Sequence, residues 1–219
     1  MKNLLSLFCM LFFMACNNPK QNSDSRNANS VDTTVKVDSI GLTPTNAIEI
    51  PKNVDEIKSV YTATNNQLAK GELDSVSYKY NCYNEKSGTI TYFTAKGKLR
   101  LIKHSYAEYD HHNATDQFFV IDEVPYFVFY NRVNWSFESG AAAEGATKDD
   151  ITEQRFYLVD NKPVQCLEKK FSVSSQDKKT NVNNAENKVV ECSSSKPLID
   201  ALKKLIAFKN QPKKDCFVR

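Results

Sequence analysis

Three stretches of this chain share one pattern: an aromatic strand, a short polar turn and a returning strand. They read YFTAKGKLRLIK, FFVIDEVPYFVFY and FYLVDNKPVQCLEK. Strand segments joined by a short polar turn predict a β-hairpin. Because successive hairpins place each strand beside its neighbour in sequence, the pattern predicts an antiparallel meander, one face of which helices can cover.

The period-2 alternation of Val76–Cys82 also predicts a half-buried strand. The expected strands lie at Val76–Cys82, Thr89–Ala95 and Lys98–Tyr109, on either side of Asp122-Glu123 within Gln117–Phe137, and in a hairpin that turns at Asp160-Asn161. In the third strand, Leu99 and Leu101 fall on one face, whereas Ile102 and His104 fall on the other. This switch predicts a β-bulge near Leu101 or burial on both faces.

An amphipathic helix is expected before the strands, over Val54–Lys70. Asn53 can cap its first turn, with Glu56 three residues later, and Gly71 can end it. Apolar residues recur on one side of the segment with helical spacing, so we expect that side to pack on the sheet.

A second helix is expected after Ser174–Ser195, a polar segment that we predict to be an exposed loop. Ser194 or Ser195 can cap this helix, and Pro197 suits its first turn. Its apolar stripe consists of Leu198, Ile199, Leu202, Leu205 and Ile206. The sequence therefore predicts one α+β domain over residues 47–219: an antiparallel β-meander sheet of about six to seven strands, packed by an N-terminal and a C-terminal helix.

Residues 1–15 have the organisation of a signal peptide: Lys2, the apolar run Leu4–Met14 and the small Ala15. The run is about half the roughly 20 residues that a membrane-spanning helix needs. The stretch Phe13-Met14-Ala15-Cys16 resembles the bacterial lipobox. That resemblance implies cleavage before Cys16, a diacylglycerol thioether on its sulfur and a further acyl chain, such as palmitate, on the new amino terminus. The alternative is an ordinary signal peptide followed by a chance cysteine.

Residues 16–46 lack aromatic residues and are rich in Asn, Ser, Asp and Thr, which predicts a disordered tether behind the lipidated Cys16. A lipobox, a polar tether and repeated hairpins together look like the uncharacterised small lipoproteins of Bacteroidota. By analogy with enterobacterial sorting, Asn17 after the cysteine implies the outer membrane. We therefore expect a protein that is lipid-anchored in the cell envelope and faces the periplasm.

Removal of the signal peptide and lipidation of Cys16 leave four cysteines: Cys82, Cys166, Cys192 and Cys216. An even count in an exported protein favours two disulfides, and four cysteines permit three pairings. Cys166 and Cys192 bracket the polar loop, which favours their pairing and leaves Cys82 for Cys216. Zinc ligation and free buried thiols are the competing uses, although no CxxC spacing is present.

The stretch His104–Asn113 contains all 3 histidines, together with Glu108 and Asp110. Imidazole and carboxylate groups can bind zinc or transfer protons, which makes His104, Asp110 and His112 weak candidates for a metal site. The other interpretation is a strand that runs into a polar turn. No GxSxG, HExxH or phosphate-binding glycine loop is present, and the sequence implies no cofactor.

Two functions of different class are compatible with these features. The first is a non-enzymatic binding or accessory module for an envelope protein or a glycan, with aromatic residues between Tyr126 and Trp135 as its contact surface or as core. The second is a metal-dependent hydrolase that uses the His104–His112 region. A net charge of +3 with dispersed basic residues argues against a nucleic-acid partner.

Overall fold

The computed structural model describes residues 48–139, 145–176, 185–210, 212, 216 and 217. Within these residues the chain forms one antiparallel sheet of eight strands, each hydrogen-bonded to its neighbours in sequence. The strands are β1 (Asp74–Cys82), β2 (Lys86–Ala95), β3 (Lys98–Glu108), β4 (His112–Ile121), β5 (Val124–Phe137), β6 (Thr147–Val159), β7 (Lys162–Ser174) and β8 (Lys188–Val190). Helix α1 (Val54–Ala69) precedes the sheet and α2 (Lys196–Asn210) follows it, so the predicted α+β meander is confirmed.

The sheet has one strand more than the upper end of the expected range. The additional strand, β8, lies inside the segment Ser174–Ser195 that the sequence predicts to be a loop. Its residues are exposed, and its pairing is short: Val190 lies opposite Cys166 and Lys188 opposite Glu168. Three exposed residues give no alternating signal, which is why the sequence pattern does not reveal this strand.

The predicted irregularity in β3 is present. Phe93 of β2 pairs with Leu101, whereas the next residue, Thr94, pairs with Leu99, so Arg100 is an extra residue in β3. The strand is also buried on both faces here, because Leu99, Arg100 and Leu101 are each less than a tenth exposed. The β-bulge and the burial on both faces, which the sequence offers as alternatives, therefore both occur at Arg100.

Helix α1 packs on one face of the sheet, which we call the α1 face. The Asn53 side chain accepts a hydrogen bond from Glu56 N (2.9 Å), as the capping pattern predicts. Ile57 is completely buried, and the Thr64 and Tyr126 hydroxyls lie 3.2 Å apart in the interface. Burial raises the pKa of the Tyr126 phenol to about 12, against an ordinary value of 10.0.

Helix α2 packs on the opposite face of the sheet, the α2 face. Leu198, Leu202 and Leu205 of its predicted stripe are buried, and Phe208 extends the contact by one turn. The Tyr92 hydroxyl donates a hydrogen bond to Leu205 O (2.6 Å), and burial raises the pKa of this phenol. Each helix therefore contacts the sheet through an apolar stripe and a buried tyrosine.

The structure forms two disulfides. Cys166 pairs with Cys192 over a sequence separation of 26, and Cys82 pairs with Cys216 over a separation of 134. These are the two pairs that the chain order favours. The first joins β7 to the segment after β8, and the second brings Phe217 onto the α2 face, where it is 5% exposed.

The aromatic stretch of β5 is mostly core, which corrects its interpretation as a contact surface. Tyr126, Phe127 and Tyr130 are each less than a tenth exposed, because β5 lies in the middle of the sheet with a helix on either face. Only the end of the strand emerges: Trp135 is half-buried and Phe137 is 69% exposed.

The expected signal peptide, the lipidated Cys16 and the whole of the expected tether lie outside the described residues. Among the helices that are described, neither is both long and apolar enough to cross a membrane.

Candidate functional site

The three candidate metal ligands do not come together. His104 lies in the middle of β3 at 1% exposure, Asp110 is in the turn before β4, and His112 begins β4. His104 lies opposite Asp116, four residues from His112, so the two histidines are about 13 Å apart along the strands. No group of three His, Cys, Asp or Glu side chains that could hold a metal exists among the described residues.

His104 instead belongs to a buried polar cluster, formed by Tyr80, His104, Asp116 and Arg132. The Tyr80 hydroxyl is 2.8 Å from His104 Nε2, His104 is the cross-strand neighbour of Asp116, and Asp116 pairs with the Arg132 guanidinium. His104 and Asp116 are each 1% exposed. Such a cluster is stable in the interior because its buried polar groups have partners.

Gly88 on β2 makes the Tyr80–His104 contact possible. Tyr80 lies opposite Gly88, and its side chain crosses β2 at this point to reach β3. A Cβ atom at position 88 would lie 2.6 Å from Tyr80 Oη and 2.8 Å from Ser105 O, closer than carbon and oxygen approach each other. Sequence patterns miss this requirement, because it depends on residues of three strands.

A cleft of about 590 Å³ lies beside the cluster on the α2 face. It is lined by Cys82, Lys86, Tyr106, Glu108, His112, Arg132, Cys216 and Phe217. Its charges are compensated, since Lys86 pairs with Glu108 and Arg132 with Asp116. The Phe217 ring packs on the rings of Tyr80 and His104, with centroids 5.8 Å and 5.1 Å apart. The phenol–imidazole pair therefore lies in the interior beneath Phe217.

A second concave region lies on the α1 face, beyond the part of that face that α1 covers. We call it the open groove. It has a volume of about 360 Å³ and its lining side chains include Ser87, Thr89, Ser105, Ala107, Asn113, Thr115, Asn131 and Val133. Because side chains alternate along a strand, these odd-numbered residues share the face of Leu101 and Phe127, on which α1 packs. None of the 11 lining residues is charged.

The open groove is bordered by the turns β1–β2 and β3–β4, at what we call the tyrosine end of the sheet. Both turns have three residues, and each begins with a tyrosine: Tyr83 after Cys82, and Tyr109 after Glu108. Tyr83 has φ 54° and Tyr109 has φ 53°, in the left-handed region that a bulky side chain rarely adopts. Their side chains are nevertheless 92% and 73% exposed.

A third aromatic group stands at the same end. The Trp135 ring lies 4.1 Å from the His111 ring, and its Nε1 donates a hydrogen bond to Asp110 O (2.5 Å). Trp135 N also donates to His111 O (3.1 Å), so the end of β5 is tied to the β3–β4 turn. Neither the open groove nor a role for Tyr83 and Tyr109 was predicted from the sequence. The available sign of a special role was a tyrosine at a turn position that Gly, Asn or Asp usually occupies.

Comparisons with protein-family models, with curated proteins and with solved structures give no match to this chain.

Proposed function

We propose that this protein is a non-enzymatic binding module of the bacterial cell envelope, anchored by lipid on Cys16, whose partner binds in the open groove. The observation that carries the proposal is a groove left uncovered by α1 and lined mainly by uncharged hydroxyl and amide side chains, with an exposed tyrosine in each of the two turns that border it. Concave sites with a few orienting polar groups are the usual form of binding sites. The polar groups on the other face are paired in the interior, which favours a structural role for them.

Several features support the placement in the envelope. Two disulfides are typical of a protein from an oxidising compartment. The lipobox-like sequence ends at Cys16, and a flexible segment with the length of residues 16–46 would span roughly 30 Å. Two or more acyl chains would make the attachment stable, since a single chain binds only marginally. We place the anchor in the outer membrane, with the domain facing the periplasm.

The binding role is tested with a charge placed in the open groove. The soluble Cys16→Ser form is titrated onto isolated cell envelopes, in parallel with Ser105→Lys and Ser59→Lys in the same background. Ser105 lines the groove, whereas Ser59 is an exposed residue of α1. The partner would desolvate the unpaired ammonium that Ser105→Lys introduces, at a cost of about 1.4 kcal/mol or more. Binding should therefore weaken about tenfold or more.

Ser59→Lys should bind as the parent form does, and circular dichroism should show both variants folded. Equal binding by Ser105→Lys and the parent form would contradict the proposed contact surface.

The lipid anchor is tested separately in cells grown with labelled palmitate. The wild-type protein should carry the label and sediment with membranes, and Cys16→Ser should lose the label and appear in the soluble periplasmic fraction. An unlabelled wild-type protein, or a Cys16→Ser form that still sediments with membranes, would refute the anchor without bearing on the groove.

A further inference from the structure

Both tyrosines of the tyrosine end have a left-handed backbone conformation, and the Tyr83 side chain, which is 92% exposed, buries too little area to offset the cost. The three two-residue turns at the opposite end also use positive φ, but with residues suited to it or with flexible charged side chains: Lys96-Gly97, Asp122-Glu123 and Asp160-Asn161. Tyr83 and Tyr109 are neither small nor buried. Backbone strain of this kind clusters at ligand-binding and other functional sites.

Hydrogen bonds join the turns that carry the aromatic residues to one another and to β5 before any ligand binds. Tyr109 N donates a hydrogen bond to Glu85 O (2.6 Å), which joins the β3–β4 turn to the β1–β2 turn. Trp135 joins the same turn to β5 through Asp110 O. The two tyrosine turns are two strand spacings apart, about 10 Å, a distance that two rings of an extended glycan can span. A preorganised platform of this kind loses little entropy on binding.

The groove beside the platform favours a neutral polyol. Hydroxyl and amide groups both donate and accept hydrogen bonds, as sugar hydroxyls do, and the Ser105 and Thr115 hydroxyls are already 3.2 Å apart across β3 and β4. None of the residues that line the groove is charged, which disfavours a phosphate-rich ligand. A protein partner would need about 800 Å² of contact with an apolar centre, unlike this polar groove.

We propose that the ligand of the open groove is a linear, uncharged glycan, and that Tyr83, Tyr109 and Trp135 stack on the C–H faces of its sugar rings. This rests on the proposed binding function and specifies its partner class. Aromatic rings offer the flat apolar surface that a pyranose face requires, and the groove supplies the hydrogen bonds that orient the chain. No covalent step is involved.

The test is calorimetric titration of the mature Cys16→Ser protein with cellohexaose, maltohexaose and N-acetylchitohexaose. At least one of the three should bind, and Tyr83→Ala and Tyr109→Ala should each weaken that binding about 3- to 10-fold, as expected for loss of one stacked ring. Tyr83→Phe keeps the ring and should bind like the parent form. Val164→Ala, an exposed apolar residue near the opposite end of the sheet, is the matched control and should have no effect.

The outcomes separate the two proposals. If none of the three oligosaccharides binds while envelope binding still depends on Ser105, the glycan inference is overturned and the binding function stands. If an oligosaccharide binds equally well to Tyr83→Ala, Tyr109→Ala and the parent form, the aromatic platform is refuted. If Ser105→Lys binds envelopes as tightly as the parent form does, and none of the three oligosaccharides binds, both proposals are overturned.

Discussion

Replacing Tyr83 by asparagine should make the domain more stable, although the residue is proposed to serve binding. A left-handed backbone costs an ordinary L-residue roughly 1–2 kcal/mol, whereas asparagine adopts it more readily. Tyr83 is 92% exposed, so only about 16 Å² of the roughly 200 Å² of a tyrosine is buried, a contribution of about 0.4 kcal/mol. We therefore expect Tyr83→Asn to raise the free energy of unfolding by about 0.5–1 kcal/mol.

Tyr109→Asn should have a different effect on stability. This side chain is 73% exposed, so about 54 Å² is buried and about 1.4 kcal/mol of burial would be lost on substitution. That loss offsets the relief of backbone strain, so Tyr109→Asn should leave stability unchanged within about 0.5 kcal/mol. The two substitutions thus separate strain from burial at equivalent turn positions.

Urea denaturation with the disulfides intact measures both effects, and thermal unfolding provides a second readout. For a domain of this size, the Tyr83→Asn gain corresponds to a rise in Tm of roughly 1–4 °C. Tyr83→Phe retains the bulky ring and should match the parent protein. A Tyr83→Asn variant that is less stable than Tyr83→Phe would refute the reasoning, because it would show that the tyrosine ring stabilises the folded domain.

Three further predictions concern the buried groups. Gly88→Ala should lower the free energy of unfolding by about 1–3 kcal/mol in urea, because the added methyl overlaps Tyr80 and a backbone oxygen; unchanged stability would show that Tyr80 can move aside. Asp116→Asn should cost about 3 kcal/mol, since it leaves the Arg132 guanidinium without its carboxylate partner, and a loss below about 1 kcal/mol would contradict a buried ion pair. Tyr126, with its pKa raised to about 12, should ionise later than an unfolded phenol in a titration monitored at the phenolate absorbance. Its contribution to stability is fully present below pH 10 and is lost as the pH rises from about 10 towards 12, so Tyr126→Phe should flatten that alkaline loss.

The hairpins could be predicted from sequence because their information is local. The turns at Asp122-Glu123 and Asp160-Asn161 combine turn-forming residues with flanking apolar strands, and each strand pairs with the next along the chain. The capping residue of α1 and the favoured disulfide pairs also follow from short patterns or chain order. By contrast, β8 is held by pairing with β7 beside the Cys166–Cys192 disulfide, so its own residues give no signal.

The sites were less predictable because their geometry is not local. His104 is near Asp110 and His112 in sequence, but the strand carries it into the interior, where its neighbours are Tyr80 and Asp116. A carboxylate at an inward position of a strand, as at Asp116, was the available sign of a buried pair. The open groove depends on which part of the α1 face the helix leaves uncovered, and sequence periodicity does not contain that information.

Hydrogen–deuterium exchange of the mature Cys16→Ser protein, with and without isolated cell envelopes, tests most directly whether the open groove is the contact surface. We predict slower exchange in peptides that cover the β1–β2 and β3–β4 turns and the groove-lining parts of β3 and β4, with exchange in α2 unchanged. Protection confined to the helices, or identical exchange in the two samples, would contradict this prediction.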